Sequence, residues 1–536
     1  TKVPDKKGKS KKSEKTQPAT PRVTIEFDNL AGRIIDLPVP DGNYAGIRAF
    51  KGRVLFYSHP VAGSGQRGMT LHVFDMQKRK LESIAGGLRH GLISADGKKA
   101  LVLEGRHNWS IIDTKPGAKT AKGRINLAAM TMRVDPRAEW KQVYKDAWRL
   151  ARDFFYDPNM HGRDWKAIGE KYGKLLPFVA HRHDLNYLIG EVIGELNSSH
   201  TYRGGGDYPE VDHVHVGLLG CDLEADEKAG RYRIAKIYRG QNWDPGRRGP
   251  LAQPGMNVQA GDYLLSVNGR ELRYPENPYA AFENTVGKAV TLHIHHLPAL
   301  EGSRKIVVVP VADELLLRYR DWVNTNRHKV AEATQSRVGY IHLPATAAPG
   351  VEAFTRDFYP QIRKDGLIID VRYNNGGHIP DIFMSRLDRK LLGLWATRYT
   401  AGFASPHAAH YGPKVCITNG YAGSGGDAFP FFFRLSGLGK LIGTRTWGGL
   451  IGISGTPPLM DNGAVAIADF SFYNPDGEWD VENKGVSPDI EVDDRPDLMI
   501  NGRDPSLERA IAEIMASLKK LNSPILPPRP AKNPVR

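Results

Sequence analysis

The chain is 536 residues long, 40% hydrophobic and 25% charged, with a formal net charge of +15. Such a length exceeds the roughly 250–300 residues that one hydrophobic core organises, so several domains are expected. No uninterrupted apolar run approaches the roughly 20 residues of a membrane-spanning helix, which argues against membrane insertion.

The positive charge is uneven. Residues 1–22 hold eight Lys/Arg against two Asp/Glu, a contribution of +6, which leaves +9 spread over the remainder. So diffuse an excess forms no stripe, and no nucleic-acid partner is expected. The Lys-rich leader, 1–21, carries too little apolar surface to fold alone and lacks the apolar stretch of a secretory signal, so it reads as a disordered, solvated linker. Cys221 and Cys416 are far apart and without metal-ligand spacing, which implies neither a disulfide framework nor a zinc site and fits a reducing cytoplasm.

Over 22–130 the segments RVTIEFDNL, GRIIDLPVP, GIRAFKGRVLFYS, MTLHVFDM and KKALVLE alternate in polarity between Gly, Asp and Pro turns, and they read as short strands. The unit SADGKKALVLEG resembles a β-propeller blade. About two blades cannot close a ring and open edges invite aggregation, so the chain is expected to be a fragment whose further blades lie on a preceding or partner chain.

Residues 131–208 change to a helical period, with Trp140, Tyr144, Trp148 and Phe155 on one face and DPNMHGRDW as a break. Over 209–312 alternation returns, and GPLAQPGMNVQAGDYLLSVNGREL has the turns and apolar strand of a PDZ-like module. Such a module can take an extended peptide along an exposed strand and hold its carboxylate on backbone N–H groups, here those of VGLLG at 216–220. A structural spacer would need the same strands and turns.

Residues 313–520 alternate strands (VGYIHLP, GLIIDVR, KVCITN) with helices at 350–363, 379–391, 424–436 and near 505–520, an α/β layered arrangement. A Pro-rich tail, 521–536, ends the sequence.

KVCITN runs into GYAGSGGDAFPFFF, which sets Ser424 at a strand-to-helix turn among Gly423, Gly425 and Gly426. Taken alone, a serine there is more often a helix N-cap than a nucleophile, and Ala422 breaks the G-x-S-x-G pattern. A serine nucleophile needs a base within hydrogen-bond reach. Among the 18 histidines, His200 in ELNSSHTYRGGG stands where the helical segment loosens into Gly204–Gly206, from which an imidazole can face a cleft. The plainer alternative is a helix-terminal histidine. The pairs His213/His215, His293/His295 and His407/His410 could be drawn as metal sites, but alternating pairs in strands usually just share a face.

NSSHTY, DVRYNNGG, YAGSGGD, GTRTWGG and VENKGVSPDI occur in the order and approximate spacing of the tricorn-type peptidases, serine peptidases of the carboxyl-terminal processing protease superfamily. Residues 130–520 resemble the C-terminal half of such an enzyme. The resemblance implies a multidomain α+β fold: partial β-propeller strands, a small helical domain carrying the catalytic histidine, a PDZ-like β-domain and an α/β peptidase domain of ClpP/crotonase type. It implies Ser424 as nucleophile and His200 as general base. Ser199 and Glu482 complete a Ser-His-Ser-Glu tetrad in which Glu482 acts through Ser199 on the imidazolium, in place of being a mere salt-bridge partner.

The N–H groups of Gly377 and Gly425 are implied as the oxyanion hole. Family members commonly carry Asp after the nucleophile, and Gly425 leaves that backbone donor unchanged. The acidic residue that selects basic side chains in the archaeal enzyme falls near Trp395, so the resemblance leaves the cleavage preference open. The resemblance further implies a cytoplasmic homo-oligomer, a hexamer, that degrades short unfolded oligopeptides, with downstream aminopeptidases as partners and no cofactor or metal.

Two other readings stand beside it. A carboxyl-terminal processing protease with PDZ-gated substrate uses a lysine base about two dozen residues after the serine, a position held here by Gly449. The nearest downstream lysine, Lys440, lies on an apolar strand outside that motif. A non-catalytic peptide-binding scaffold is the other, against which the intact Ser424, His200 and Glu482 stand.

Overall fold

The computed structural model describes residues 26–61, 64, 66–209, 211–241, 243–399, 402–521 and 525–530. The expected leader, 1–21, lies outside the described residues, as do 522–524 and 531–536 of the tail. The chain separates into two compact units that meet in sequence at Thr131 and Met132.

In the first unit, Asn43–Phe50, Arg53–His59, Met69–Asp75, Lys80–Ile93, Lys99–Glu104 and Asn108–Asp113 pair antiparallel in sequence order. Their inward residues, among them Leu55, Leu71, Ile84, Leu88 and Val102, share one core. The long fourth strand changes partner near Gly87 (φ +73), pairing first with Met69–Asp75 and then with Lys99–Glu104. No strand forms in the described part of RVTIEFDNL or in GRIIDLPVP: residues 31–33 make a 3-10 turn, and Ile34 and Ile35 are 78% and 76% exposed. Alternating polarity does not make a strand without a partner for its N–H and C=O groups, and Pro38 and Pro40 supply no donor.

The second unit opens with helices Pro136–Phe154, Trp165–Gly173 and Arg182–Gly194. Asp135 caps the first by accepting from the Arg137 and Ala138 N–H groups, with Pro136 in the first turn. Tyr144 and Phe155 are buried and Trp140 and Trp148 partly so, as their spacing requires. The helices do not close this core alone. Ile451, Leu459, Val465, Ile467 and Ala468 complete it, Ala464–Ala466 pairs with Tyr202–Gly204, and Arg182 forms a buried ion pair with Asp461.

An antiparallel sheet follows, with Cys221–Asp226 on one edge, then Arg231–Ile237, Tyr263–Val267, Val290–His295 and Arg304–Val308. Beyond it, Val338–His342, Gly366–Asp370, Lys414–Thr418, Gly439–Gly443 and Ile490–Glu491 form a parallel sheet in that order. The first three are buried throughout, which is why they read as continuous apolar runs.

Helices Ala348–Phe358, Pro380–Leu387, Gly425–Leu435 and Pro505–Lys519 lie between and after these strands. Two are shorter than their sequence reading. The first gives way at Phe358 to a 3-10 turn over Tyr359–Gln361, and the second ends at Leu387. Leu315–Ala333 forms a 19-residue helix that the sequence pattern hides, because Leu317, Val323, Asn326 and Val330 are its only buried residues among many charges.

Candidate active site

Two loops leave the C-terminal ends of the adjacent strands Gly366–Asp370 and Lys414–Thr418, the edge where open α/β sheets build their sites. Asn374 ties them together. Its carbonyl accepts from the Gly423 N–H at 3.0 Å, while its side chain donates to the Leu343 carbonyl at 2.9 Å and accepts from the Gly376 N–H at 2.9 Å. Beneath them the buried Arg372 binds Asp370 at 2.7 Å, Asp504 at 2.8 Å and Asp494 at 2.9 Å.

Ser424 stands at the head of helix Gly425–Leu435 with φ +59° and ψ −122°, and its side chain makes no cap hydrogen bond. It holds the N-cap position without its side chain capping the helix. A non-glycine residue held at positive φ stores strain, and a serine presented on such a strand-to-helix turn is a nucleophile's posture. The neighbouring glycines are sterically required: a Cβ on Gly376 would lie 2.6 Å from the Ser424 Cβ, and one on Gly425 would lie 2.2 Å from the Gly377 carbonyl oxygen. Among the described residues neither the Gly377 nor the Gly425 N–H has an acceptor. Two unengaged backbone donors beside a strained serine can receive an oxyanion.

His200 lies beyond the end of helix Arg182–Gly194, on a segment where Asn197 and His200 itself have positive φ. Glu482 grips that segment. One oxygen accepts from the Ser199 N–H at 2.7 Å; the other accepts from the Ser199 hydroxyl at 3.1 Å and from the Leu450 and Ile451 N–H groups at 2.8 and 3.2 Å. These partners are backbone amides and a hydroxyl, and among the described residues Glu482 forms no salt bridge. Val481, just before it, is buried at φ +69°, a costly conformation for a β-branched residue.

The imidazole has a resting partner that the sequence did not suggest. Its Nδ1 lies 3.0 Å from the Tyr202 hydroxyl, its Nε2 is buried without a hydrogen-bond partner, and its ring meets Trp447 edge-on at 5.5 Å. Trp447 also packs on the Gly423 backbone, so one indole lines both the serine loop and the histidine. Burial pushes His200 below the ordinary histidine range, with the Glu482 and Asp427 carboxylates pulling it back in part. No hydrogen bond joins His200 to Ser424 or Ser199 in this arrangement.

Asp427, in the first turn of the serine's helix, is fully buried and accepts from the Gly448 and Gly449 N–H groups at 2.8 and 3.2 Å. Burial raises its carboxyl above the usual range. The next two N–H groups of the same loop, those of Leu450 and Ile451, hold Glu482. A continuous path thus runs from the serine's helix through Asp427, the Gly-Gly loop and Glu482 to Ser199. Asp427 stands in the YAGSGGD motif, Tyr202 in NSSHTY and Trp447 in GTRTWGG, which was the signal available for them; it named no role for any of the three.

Comparison with known proteins places this geometry. The Tricorn protease C1 domain matches residues 136–194, the Tricorn protease PDZ domain 217–313, and Peptidase family S41 residues 337–492. The chain is 34% identical to Tricorn protease homolog 1 of Streptomyces coelicolor over 96% of its own length and 48% of the relative's. It is also 34% identical to the Putative Tricorn-like protease C-terminal subunit of Sulfurisphaera tokodaii, over 92% of this chain and 58% of that one. A crystal structure of the tricorn protease superposes with a TM-score of 0.80 at 30% identity, over 90% of this chain and 47% of that one.

The chain is similar to tricorn-type peptidases over most of its length. Its class is that of a serine peptidase of family S41, and the multidomain α+β architecture agrees with the resemblance carried by the five motifs. It spans about half the length of the curated relatives it matches.

Two features set this tricorn-type site apart from one with a lysine base. Gly449 donates its N–H to Asp427, and Lys440 is paired with Glu513 at 2.6 Å. Trp395 is 61% exposed on the short strand Gly393–Trp395 and stacks on Phe403, which puts an aromatic surface at that position. Among the described residues no group of three or more His, Cys, Asp or Glu side chains could hold a metal ion.

Proposed function

We propose that the chain is the catalytic part of a serine endopeptidase that cuts short unfolded peptides with Ser424, His200, Ser199 and Glu482. The observation that carries the reading is Ser424 itself: a strained serine whose hydroxyl caps nothing, beside the unengaged Gly377 and Gly425 N–H groups. His200 Nε2 takes the hydroxyl proton as Ser424 Oγ attacks the scissile carbonyl, and the two glycine N–H groups receive the developing oxyanion. The imidazolium then protonates the leaving amine, and water releases the acyl group by the same steps.

The Ser199 hydroxyl donates to Glu482, which leaves its oxygen free to accept Nδ1–H of His200. In that role Glu482 stabilises the imidazolium through Ser199 once His200 turns from Tyr202 towards Ser424. No cofactor is needed. We read residues 22–130 as propeller blades, 131–208 as the histidine-bearing helical domain, 209–312 as the PDZ-like domain and 313–520 as the peptidase domain. The working form is a cytoplasmic homo-oligomer, a hexamer, that admits oligopeptides and passes products to aminopeptidases.

A library of short unfolded peptides, incubated with the chain and with Ser424→Ala and His200→Ala proteins of matched assembly state, tests this. Cleavage abolished by both substitutions is the expected result. Cleavage surviving Ser424→Ala would refute the mechanism, and a folded, assembled chain that cuts nothing would favour the peptide-binding scaffold.

A further inference from the structure

A PDZ-like module holds a peptide carboxylate on the N–H groups of the loop before its edge strand, with the peptide lying along that strand. Here the loop is 217–220 and the edge strand Cys221–Asp226. Three of its four N–H donors are already engaged from within. The Gly217 N–H donates to the Phe282 carbonyl at 2.9 Å, the Leu218 N–H to the Val311 carbonyl at 2.9 Å, and the Gly220 N–H to a carboxylate oxygen of Glu314 at 2.6 Å.

Glu314 is buried, and its second oxygen accepts from Arg318 Nε and Nη2 at 2.9 and 2.6 Å. Arg318 in turn donates to Asp222 on the edge strand at 2.8 Å. The cavity beside the loop measures about 280 Å³, and Leu218, Leu223, Phe282 and Leu315 line it. That is below the roughly 300–1,000 Å³ of ordinary ligand pockets. Asp313, Glu314, Leu315 and Arg318 of the chain itself thus form one wall of this cavity, and Glu314 reaches the loop with its carboxylate.

We propose that the resident ligand of the PDZ-like groove is this exit segment, 313–318, with the Glu314 carboxylate standing in for a peptide C-terminus. A tethered carboxylate meets the loop at an effective concentration on the order of millimolar, which a dilute free peptide cannot match. Its hydrogen bond to the Gly220 N–H is charge-assisted, and Arg318 holds its other oxygen. The groove thus docks the first turn of helix Leu315–Ala333, whose Val323 and Val330 pack against Val338 and Tyr340 of the peptidase sheet. The module braces the peptidase domain and does not recruit substrates by their free C-termini.

Fluorescent peptides with free or amidated C-termini, titrated against the full chain carrying Ser424→Ala, test the first half. Amidation is expected to change affinity less than about twofold; a preference for the free carboxylate on the order of tenfold that Leu223→Arg abolishes would overturn the proposal. Glu314→Ala in the same chain is expected to create or strengthen such a preference, or to lower the melting temperature by several degrees. An unchanged binding profile together with unchanged melting would refute the brace. Amide hydrogen exchange on the unsubstituted chain needs no variant: Gly220 must be protected, and free exchange of that N–H would also overturn it.

Discussion

Ser424, Gly377 and Gly425 sit on loops that leave two neighbouring, wholly buried parallel strands, whereas His200 and Ser199 sit on a segment beyond a helix whose core is shared between sequence-distant parts. The nucleophile side is fixed by backbone: Asn374 joins its loops, glycines admit their close approach, and Arg372 locks the strand end below. The base side is fixed by side chains, through Glu482 on Ser199 and Asp427 on the loop that holds Glu482. The first is preorganised by the sheet. The second depends on each link of a hydrogen-bond path, and its histidine rests on Tyr202 rather than on the serine.

The contrast can be broken most severely from below. Arg372→Ala leaves Asp370 and Asp504 as unpaired buried carboxylates, and a loss of about 3–5 kcal/mol in unfolding free energy is expected from chemical denaturation. Retention of full stability would show that the sheet does not depend on this cluster. On the base side, Asp427→Ala releases the Gly448 and Gly449 N–H groups without touching Ser424. A fall of about 100-fold in kcat with KM little changed is expected in steady-state peptide hydrolysis. A rise in KM alone would instead make Asp427 part of substrate binding.

Paired single substitutions decide what orients the imidazole. If Ser199 relays Glu482 during turnover, Ser199→Ala costs about tenfold in kcat and Tyr202→Phe costs less than about threefold. The opposite ranking would make the Tyr202 contact the working one.

The smallest effect concerns pH. In the proposed mechanism the rate requires neutral His200, and burial lowers its pKa in the folded chain against the opposing pull of Glu482 and Asp427, with His378 lowering it further. The acid limb of kcat/KM should therefore have its midpoint below the ordinary histidine value of about 6.5. A midpoint above that value would mean that the carboxylates outweigh burial.

Much of the site was legible in the chain because its geometry is local. Gly376 and Gly377, and Gly423 to Gly426 around Ser424, announce turns that only small residues can make, and the structure uses them in that way. Glu482 could be assigned through resemblance alone, since its partners Ser199, Leu450 and Ile451 come from three separate stretches of sequence. Tyr202 lies two residues from His200, yet no spacing rule says which ring atom will meet which hydroxyl.

Helix Leu315–Ala333 escaped detection because its buried stripe includes Asn326 and is diluted by arginines that form ion pairs, such as Arg320 with Asp357. The strands expected in GRIIDLPVP and in the described part of RVTIEFDNL show the converse error: polarity alternates there, but among the described residues no partner edge receives it.

The sequence by itself determined the strand runs of the peptidase sheet, the glycine-flanked serine and the family resemblance, because burial on both faces and tight turns leave marks on consecutive residues. Tertiary structure alone decided that Asp427 and Glu482 form one path to Ser199, that residues 451–468 finish the helical core, and that Glu314 fills the PDZ-like loop. Each of those joins groups distant in sequence, where the free energy of a contact depends on which surfaces the whole fold excludes from water.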